Sequence, residues 1–442
     1  TQIYVNLRDN PDYDEQGFMP FGRVVTGMDV VDRFYPGYGE DAGGGMRGGN
    51  QGRILMEGNT HLDEDFPRLS TIVSARILPG RVMRYPYIGG NRIRAELHMM
   101  PPVSTGPLDP DWSPDSSELV FAMRGDLWRI PAEGGAAIAL TLGPAYYSEP
   151  RWSPDGEWIA FSRDLEGDLD VGVIPAGGGE PIMLTADNDV DVQPTWSDDS
   201  SSVYFTTSRD GSFDIYRVAV PAADEEPAPI EPVVVGRGHQ FQPSWSPGGG
   251  ALAFVSPVRG RLGTGGIWTL TAAQLGDPAT ALDSATLVHY EETAFRAKPR
   301  WSAESNNILF VSDESGSNDL AAVPAVGGAR ALLTAEPEHE LDGVWSPDGT
   351  RLAFVSNRGG PTRLYTAPAG GARRAGWTPV TIEALVPATP SGTLRIRVTD
   401  APEGSPVVSR LHVVAGDTRG YAPEGEFHRV ISSTDMHLSL IH

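Results

Sequence analysis

The sequence predicts a mainly β chain: a six-bladed β-propeller, preceded by part of a β-barrel and followed by part of a β-sandwich. A Trp-Ser pair recurs six times, at Trp112, Trp152, Trp196, Trp245, Trp301 and Trp345, with spacings of 40, 44, 49, 56 and 44 residues. Each pair is followed by a short apolar run ending in Phe: Phe121, Phe161, Phe205, Phe254, Phe310 and Phe354. With 52 Gly and 38 Pro in 442 residues, the chain is also rich in turns.

The repeat justifies the propeller strand by strand. Pro follows the Trp-Ser pair at Pro114, Pro154, Pro247 and Pro347, and the Trp152 and Trp345 repeats carry the full Trp-Ser-Pro-Asp-Gly. Pro presets φ at the second position of a tight turn, and Gly accepts the positive φ that ends it. The apolar runs, such as Leu119-Val120-Phe121 and Leu352-Ala353-Phe354, are too short for helices and rich in branched and aromatic residues, which predicts buried strands. A polar hairpin such as Ser208-Arg209-Asp210-Gly211 leads to a third strand, seen at Asp126-Leu127-Trp128, Asp214-Ile215-Tyr216, Gly266-Ile267-Trp268 and Arg363-Leu364-Tyr365. A fourth strand ends in Leu-Thr at Thr141, Thr185 and Thr334. Four strands per repeat of about 40 to 50 residues is the pattern of a propeller blade, whose faces are buried only by stacking on neighbours. The Trp and Phe side chains are expected in the core.

This pattern resembles the Trp-Ser-Pro-Asp-Gly propeller repeats of the TolB family over about residues 97–383. The turns at Asp198-Asp199-Ser200 and Ala303-Glu304-Ser305 depart from it. The resemblance implies a peptide or protein ligand at the propeller's channel face and a periplasmic or other extracytoplasmic setting.

Residues 1–78 stand outside the repeat. A strand at Thr1-Gln2-Ile3-Tyr4-Val5-Asn6-Leu7, a polar loop, a second strand at Met19-Pro20-Phe21-Gly22-Arg23-Val24-Val25 and a short amphipathic helix at Gly27-Met28-Asp29-Val30-Val31-Asp32-Arg33-Phe34 follow in order. These three segments resemble the C-terminal half of a cyclophilin-type peptidyl-prolyl cis-trans isomerase. Rotation about an X-Pro bond faces a barrier of about 18–20 kcal/mol from amide resonance, so catalysis needs an apolar proline pocket and a donor to the prolyl nitrogen. The family's arginine donor and its Phe-x-x-x-Gln stretch belong to the half of the domain that precedes Thr1. No complete catalytic site is therefore expected, and the resemblance carries over only Gln2, Tyr4, Tyr13 and Phe18 as pocket residues. Whether these four form a partial pocket or are ordinary sheet and loop residues stays open at this level. The initial Thr suggests that the natural start lies upstream.

Residues 79–96 read as a linker, or as a source of an outer strand that closes the ring. After the sixth repeat, Pro387 to Gly392 marks a boundary. The alternation in Leu394-Arg395-Ile396-Arg397-Val398 and the run Arg410-Leu411-His412-Val413-Val414 predict strands of a truncated sandwich over 388–442. This resembles the segment following TolB-like propellers in metal-dependent, amidohydrolase-like proteins, and the chain ends before any catalytic metal domain.

Composition and motifs narrow the function classes. The formal net charge of −24 argues against nucleic acid, which demands clustered Lys and Arg. With no Cys there are no disulfides, thiol nucleophiles or thiolate metal sites. No apolar run reaches the 18 residues of a membrane span. Gly37-Tyr38-Gly39-Glu40-Asp41-Ala42 fits a loose dinucleotide fingerprint, but no strand precedes it and no helix follows. No Gly-x-Ser-x-Gly elbow is present, against a serine peptidase. Asp435, His437 and His442 read as a frayed tail and not as metal ligands, and the acidic run Asp187-Asn188-Asp189-Val190-Asp191 lacks the ordered spacing of a calcium loop. No cofactor and no metal are expected.

Two functions follow. One is a cyclophilin-type isomerase, incomplete in this chain, joined to a propeller that binds protein or peptide. The other is a non-catalytic propeller scaffold, or the accessory propeller of a truncated amidohydrolase-like protein.

Overall fold

The computed structural model describes residues 106–388, apart from 142–144, 166–167, 222–227, 237, 258–264, 292–296 and 372–375, together with two short strands at Val413–Val414 and Gly420–Tyr421. The chain divides into two units, Thr1–Gly80 and Arg81–His442, and every described residue falls in the second. The expected barrel segment 1–78, the linker 79–96 and most of 388–442 lie outside the described residues.

Six four-stranded antiparallel sheets follow one another along the chain. Blade 1 comprises β1 (Leu108–Trp112), β2 (Glu118–Met123), β3 (Asp126–Pro131) and β4 (Gly135–Ala139). Blade 2 comprises β5 (Tyr146–Trp152), β6 (Trp158–Leu165), β7 (Asp168–Pro175) and β8 (Ile182–Met183). Blade 3 comprises β9 (Asp191–Trp196), β10 (Ser202–Thr207), β11 (Asp214–Ala219) and β12 (Glu231–Val234). Blade 4 comprises β13 (Phe241–Trp245), β14 (Ala251–Ser256), β15 (Gly266–Thr271) and β16 (Thr286–Tyr290). Blade 5 comprises β17 (Arg300–Trp301), β18 (Asn307–Ser312), β19 (Asp319–Pro324) and β20 (Ala331–Leu332). Blade 6 comprises β21 (Glu340–Trp345), β22 (Arg351–Ser356), β23 (Arg363–Pro368) and β24 (Thr378–Pro379). The first strand of each blade lines the centre, and the Trp-Ser pair ends it.

The second strands read as unbroken apolar runs because a neighbouring blade covers each of their faces. The six run-ending Phe side chains are at most 1% exposed. The Trp residues are core at four blades, whereas Trp245 and Trp345 are half-buried. Their role is inter-blade as well as apolar. The indole N–H groups of Trp112, Trp196 and Trp301 donate to Val344, Arg151 and Ser244 carbonyls of the preceding blade, at 3.2, 2.9 and 2.8 Å. Trp245 instead stacks on Tyr204 of blade 3, with centroids 4.9 Å apart.

The serine after each Trp closes the turn. The Ser346 hydroxyl donates to Asp348 Oδ1 at 2.5 Å and accepts from the Arg351 N–H at 2.9 Å. Ser113 with Asp115 and Ser197 with Asp199 repeat the arrangement, so the departing turn of blade 3 keeps its clamp. Hydrogen bonds from Ser113 and Ser117 hold the Asp115 carboxyl down at about 2. The Leu-Thr signature has a matching cause. The Thr185 hydroxyl accepts from Val171 N–H at 3.0 Å and donates to Asp170 Oδ1 at 3.2 Å, tying the end of the fourth strand to the start of the third. Thr141 and Thr334 bond Leu127 and Leu320 in the same way.

The longest spacing, Trp245 to Trp301, has a local explanation. Between β15 and β16 the chain inserts a 3-10 turn (Ala272–Gly276), a short helix α1 (Pro278–Ala281) and a second 3-10 turn (Leu282–Ser284). Asp277 caps α1 by accepting from the Ala279 N–H at 3.1 Å, and Pro278 takes the first helical position.

Ring closure combines two devices. Trp112, Phe121 and Trp128 of blade 1 share one apolar cluster with Val344, Val355 and Leu364 of blade 6. The chain leaving blade 6 then forms β25 (Ile382–Val386), which pairs in parallel with β4 as a fifth strand of the first sheet. Gly134 permits the approach, since a Cβ there would lie 2.8 Å from the Thr381 carbonyl oxygen and its φ is +95°. The outer strand added to blade 1 therefore comes from the C-terminal side of the repeat.

Candidate functional site

Three residues before each Trp, the innermost strand carries a residue in left-handed backbone conformation. These are Asp109, Glu149, Gln193, Gln242, Lys298 and Asp342, with φ of 51, 53, 60, 54, 47 and 55°. None is glycine, and for an L-residue this conformation costs about 1–2 kcal/mol. Strand pairing slips at this point in blades 1, 2, 3, 4 and 6, the mark of a bulge. The bulge lets a side chain of one blade reach the equivalent backbone N–H of the next. Glu149 Oε2 accepts from Gln193 N at 2.9 Å, Gln193 Oε1 from Gln242 N at 2.9 Å, Gln242 Oε1 from Lys298 N at 2.7 Å, and Asp342 Oδ2 from Asp109 N at 3.1 Å. Four of the six blade junctions are stitched in this way.

A lysine cannot accept such a bond, and at blade 5 the pattern changes. The Lys298 ammonium donates to Asp342 Oδ1 at 2.6 Å and to Asp109 Oδ1, reaching past blade 6 to blade 1. Burial opposes its charge, but Asp109, Asp342 and Glu149 outweigh that and hold it protonated, above its ordinary range. The acids show the converse. Burial, reinforced by Asp109 and opposed by Lys298, raises the Glu149 carboxyl to about 7, and burial with Asp109 raises Asp342. At the junction of blades 1 and 2, Asp111 supplies the stitch by accepting from Trp152 N at 2.8 Å, and burial raises its carboxyl to about 6 against the pull of Arg151.

The cavity enclosed by Glu149, Gln193, Gln242, Lys298, Arg151 and Arg300 is about 10 Å³, space for one water at most. At this level the channel is a floor and not a pore. Arg151 and Arg300 lie two residues nearer the Trp-Ser turns than the ring, on blades 2 and 5.

Two other clusters carry titratable groups. In the acidic run 187–191, Asp191 is buried and bound by Arg209, Nη2 to Oδ2 3.0 Å, and the same nitrogen is 3.2 Å from Asp187. The guanidinium also lies over the Tyr216 ring, 5.4 Å from its centroid. An arginine thus occupies the place a cation would take. Met183, Asp187, Arg209 and Ile230 line an open depression of about 460 Å³ beside it, between blades 2 and 3. His289, Glu291 and Glu314 come close enough together to ligate a metal ion. Arg330 already lies 3.6 Å from Glu291 and 2.6 Å from Glu314, and donates to Ser312 Oγ at 2.6 Å.

The pocket residues expected from sequence, Gln2, Tyr4, Tyr13 and Phe18, lie outside the described residues, as do Gly37–Ala42, Asp435, His437 and His442. The ring residues do not stand out in the sequence by type, although a signal exists: in five blades Pro follows the ring residue, as in Glu149-Pro150 and Lys298-Pro299.

Residues 109–318 match the family model of the tricorn protease N-terminal β-propeller domain. The uncharacterized peptidase YuxL of Bacillus subtilis is 30% identical over 70 residues, 14% of this chain, and the match spans 11% of that protein's length. Among solved structures, a putative TolB from Agrobacterium tumefaciens is 20% identical, with 64% of this chain and 81% of that one covered at a TM-score of 0.32. TolB from Acinetobacter baumannii is 17% identical over 60% of this chain and 62% of its own, at 0.39. The tricorn protease is 15% identical over 67% of this chain and 27% of its own, at 0.47. The family match begins in blade 1 and ends in blade 5, and it does not extend to segment 1–78, so the cyclophilin resemblance expected there has no support from it. The described part of the chain is a six-bladed β-propeller, and its residues 109–318 are similar to the tricorn protease N-terminal β-propeller domain.

Proposed function

We propose that the chain is a non-catalytic binding scaffold that takes a basic peptide or protein on the face bearing the hairpin loops. The observation that carries this reading is the constricted channel: Lys298 bridges to Asp109 and Asp342, and the space left beside it is about 10 Å³, room for one water at most. A ligand is therefore met at a face and does not thread through. Among the described residues of the loop face, Asp187, Asp189, Asp210, Asp313, Glu314 and Glu338 outweigh Arg124, Arg209 and Arg358, and these groups are at least partly exposed. Such a surface steers cationic partners by its field. The chain's net charge of −24 acts in the same direction. The periplasmic setting implied by the TolB resemblance belongs to the same proposal; no helix among the described residues is long and apolar enough to cross a membrane.

Prolyl isomerisation by residues 1–78 is the alternative suggested by sequence resemblance, and it falls outside the described residues. The scaffold reading is tested by fluorescence anisotropy with labelled Lys-rich and Glu-rich peptides of equal length. Binding of the basic peptide about tenfold or more tighter, weakened by salt and by Asp313→Lys with Glu314→Lys, is expected. Equal affinity for both peptides, or no binding of either, rejects it. A prolyl-isomerisation assay on the same chain is expected to show no acceleration above background, and acceleration would favour the enzymatic alternative.

A further inference from the structure

At the turn-side end of the channel two arginines face one gap, neither with a carboxylate at ion-pair distance among the described residues. Arg151 on β5 is only 9% exposed, yet its Nη1 donates to the carbonyl of its own neighbour Pro150 at 2.6 Å and its Nε has no partner. Arg300 on β17 repeats the posture, with Nη1 3.3 Å from the Pro299 carbonyl. Among the described residues, no carboxylate lies within ion-pair distance of either guanidinium, although Arg163, Arg209, Arg330 and Arg351 all have one. Buried arginines are normally paired directly, whereas Arg151 is offset only at longer range, by Asp111 and Glu149, and its donor fork is left without a carboxylate. Blades 2 and 5 stand opposite each other in a six-membered ring, so the two side chains approach the same cavity from opposite walls.

We infer that the turn-side end of the channel is an oxyanion site, in which Arg151 and Arg300 together hold a carboxylate or phosphoryl group. Each guanidinium presents a planar fork of donors that matches such a group in two bonds, and the carbonyl bonds they now make are local and replaceable. The cavity between them takes one water, so the anion is met at the mouth by guanidiniums swinging outward. This end of the channel is remote from the loop face, and the inference does not depend on the peptide reading.

Calorimetric titration of the full chain tests it, with three probes at matched ionic strength: acetyl-trialanine as the free acid, its C-terminal amide, and inorganic phosphate. The inference expects the free acid or phosphate to bind, the amide to bind about tenfold or more weaker, and Arg300→Gln to weaken the anion by a similar factor. Preference for the free acid identifies a carboxylate ligand, and preference for phosphate a phosphoryl one. Arg300 is half-buried with a single weak bond, so its replacement leaves the fold in place; it decides the matter should Arg151→Gln fail to fold. Anion affinity no greater than that of the amide, or unchanged in Arg300→Gln, overturns the site.

Discussion

Replacing Lys298 with Met tests whether the polar ring at the centre is a structural seam. Methionine keeps the aliphatic stem and removes the charge. The Asp109 carboxylate is inaccessible and that of Asp342 is 8% exposed, and the ammonium bonds both. Removing one partner of a buried ion pair costs about 3–5 kcal/mol, because the remaining charge stays buried and uncompensated. For a domain of this size that corresponds to a fall in melting temperature of about 6–20 °C. The sign of the pH dependence follows from the acids. Asp342 and Glu149 have carboxyls raised by burial, so their native forms bind protons that the unfolded chain has already released. At about pH 5.5, below the value of about 7 to which Glu149 is raised, protonation removes charge from the cluster, whereas at about pH 8 Glu149 is ionised. The deficit of the variant should therefore be largest at the higher pH and shrink at the lower. Urea unfolding followed by tryptophan fluorescence measures it at both. A deficit under about 1 kcal/mol at pH 8, the value of an exposed pair, would refute the seam. So would a deficit independent of pH.

Three further substitutions probe the repeat. Ser346→Ala removes a buried hydroxyl that both donates and accepts, and should cost about 1–2 kcal/mol in urea unfolding, with Asp348 left on the surface. Gly343→Pro restores the proline of the other five blades yet should destabilise by about 1–3 kcal/mol, because a Cβ there would stand 2.9 Å from the methyl groups of Leu309 and Leu320; a rise in melting temperature would contradict this. Glu340 is fully buried and its carboxyl is raised to about 7 by burial, against a bond from Ser356 and with Asp319 and Glu338 adding to the rise. Its native form holds a proton that the unfolded chain loses near 4.5, so it makes stability fall as pH rises from about 5 to 8. Glu340→Gln should make that fall shallower, and an unchanged slope would show that Glu340 is not its source.

The propeller is legible in the sequence because its determinants are local and recur with the same residue types. Trp, Ser, Phe and Thr each sit at one place in a blade, and each has one physical job there. The ring residues are hidden for the opposite reason. Asp, Glu, Gln, Gln, Lys and Asp share a backbone conformation and a function but no chemical identity, so only the following Pro repeats. Their bonds join blades about 40 to 60 residues apart, and sequence proximity says nothing of them. The parallel pairing of β25 with β4 is more distant still, linking the two ends of the repeat. The helical insert is visible only as the 56-residue spacing, without its structure.

The backbone strain of the ring bears on function. Six left-handed residues would cost several kcal/mol together, and they persist because each places a side chain or an amide at a blade junction. Charged and amide groups at a propeller's axis invite a reading as a ligand-binding pore, but here they bond one another and leave room for a single water. A polar axis of this kind separates the two faces of the molecule. Carboxylates decorate both faces, Asp115, Asp155, Asp199 and Asp348 among them in the Trp-Ser turns, while Arg151 and Arg300 line the central cavity on the turn side with no carboxylate at ion-pair distance among the described residues. Selection at the turn-side end therefore rests on the local pair of guanidiniums and not on the field of that face. Because the Lys298 bridge is the part of the floor that carries charge across the axis, Lys298→Met should disturb binding at both faces together, whereas Arg300→Gln should affect the turn side alone.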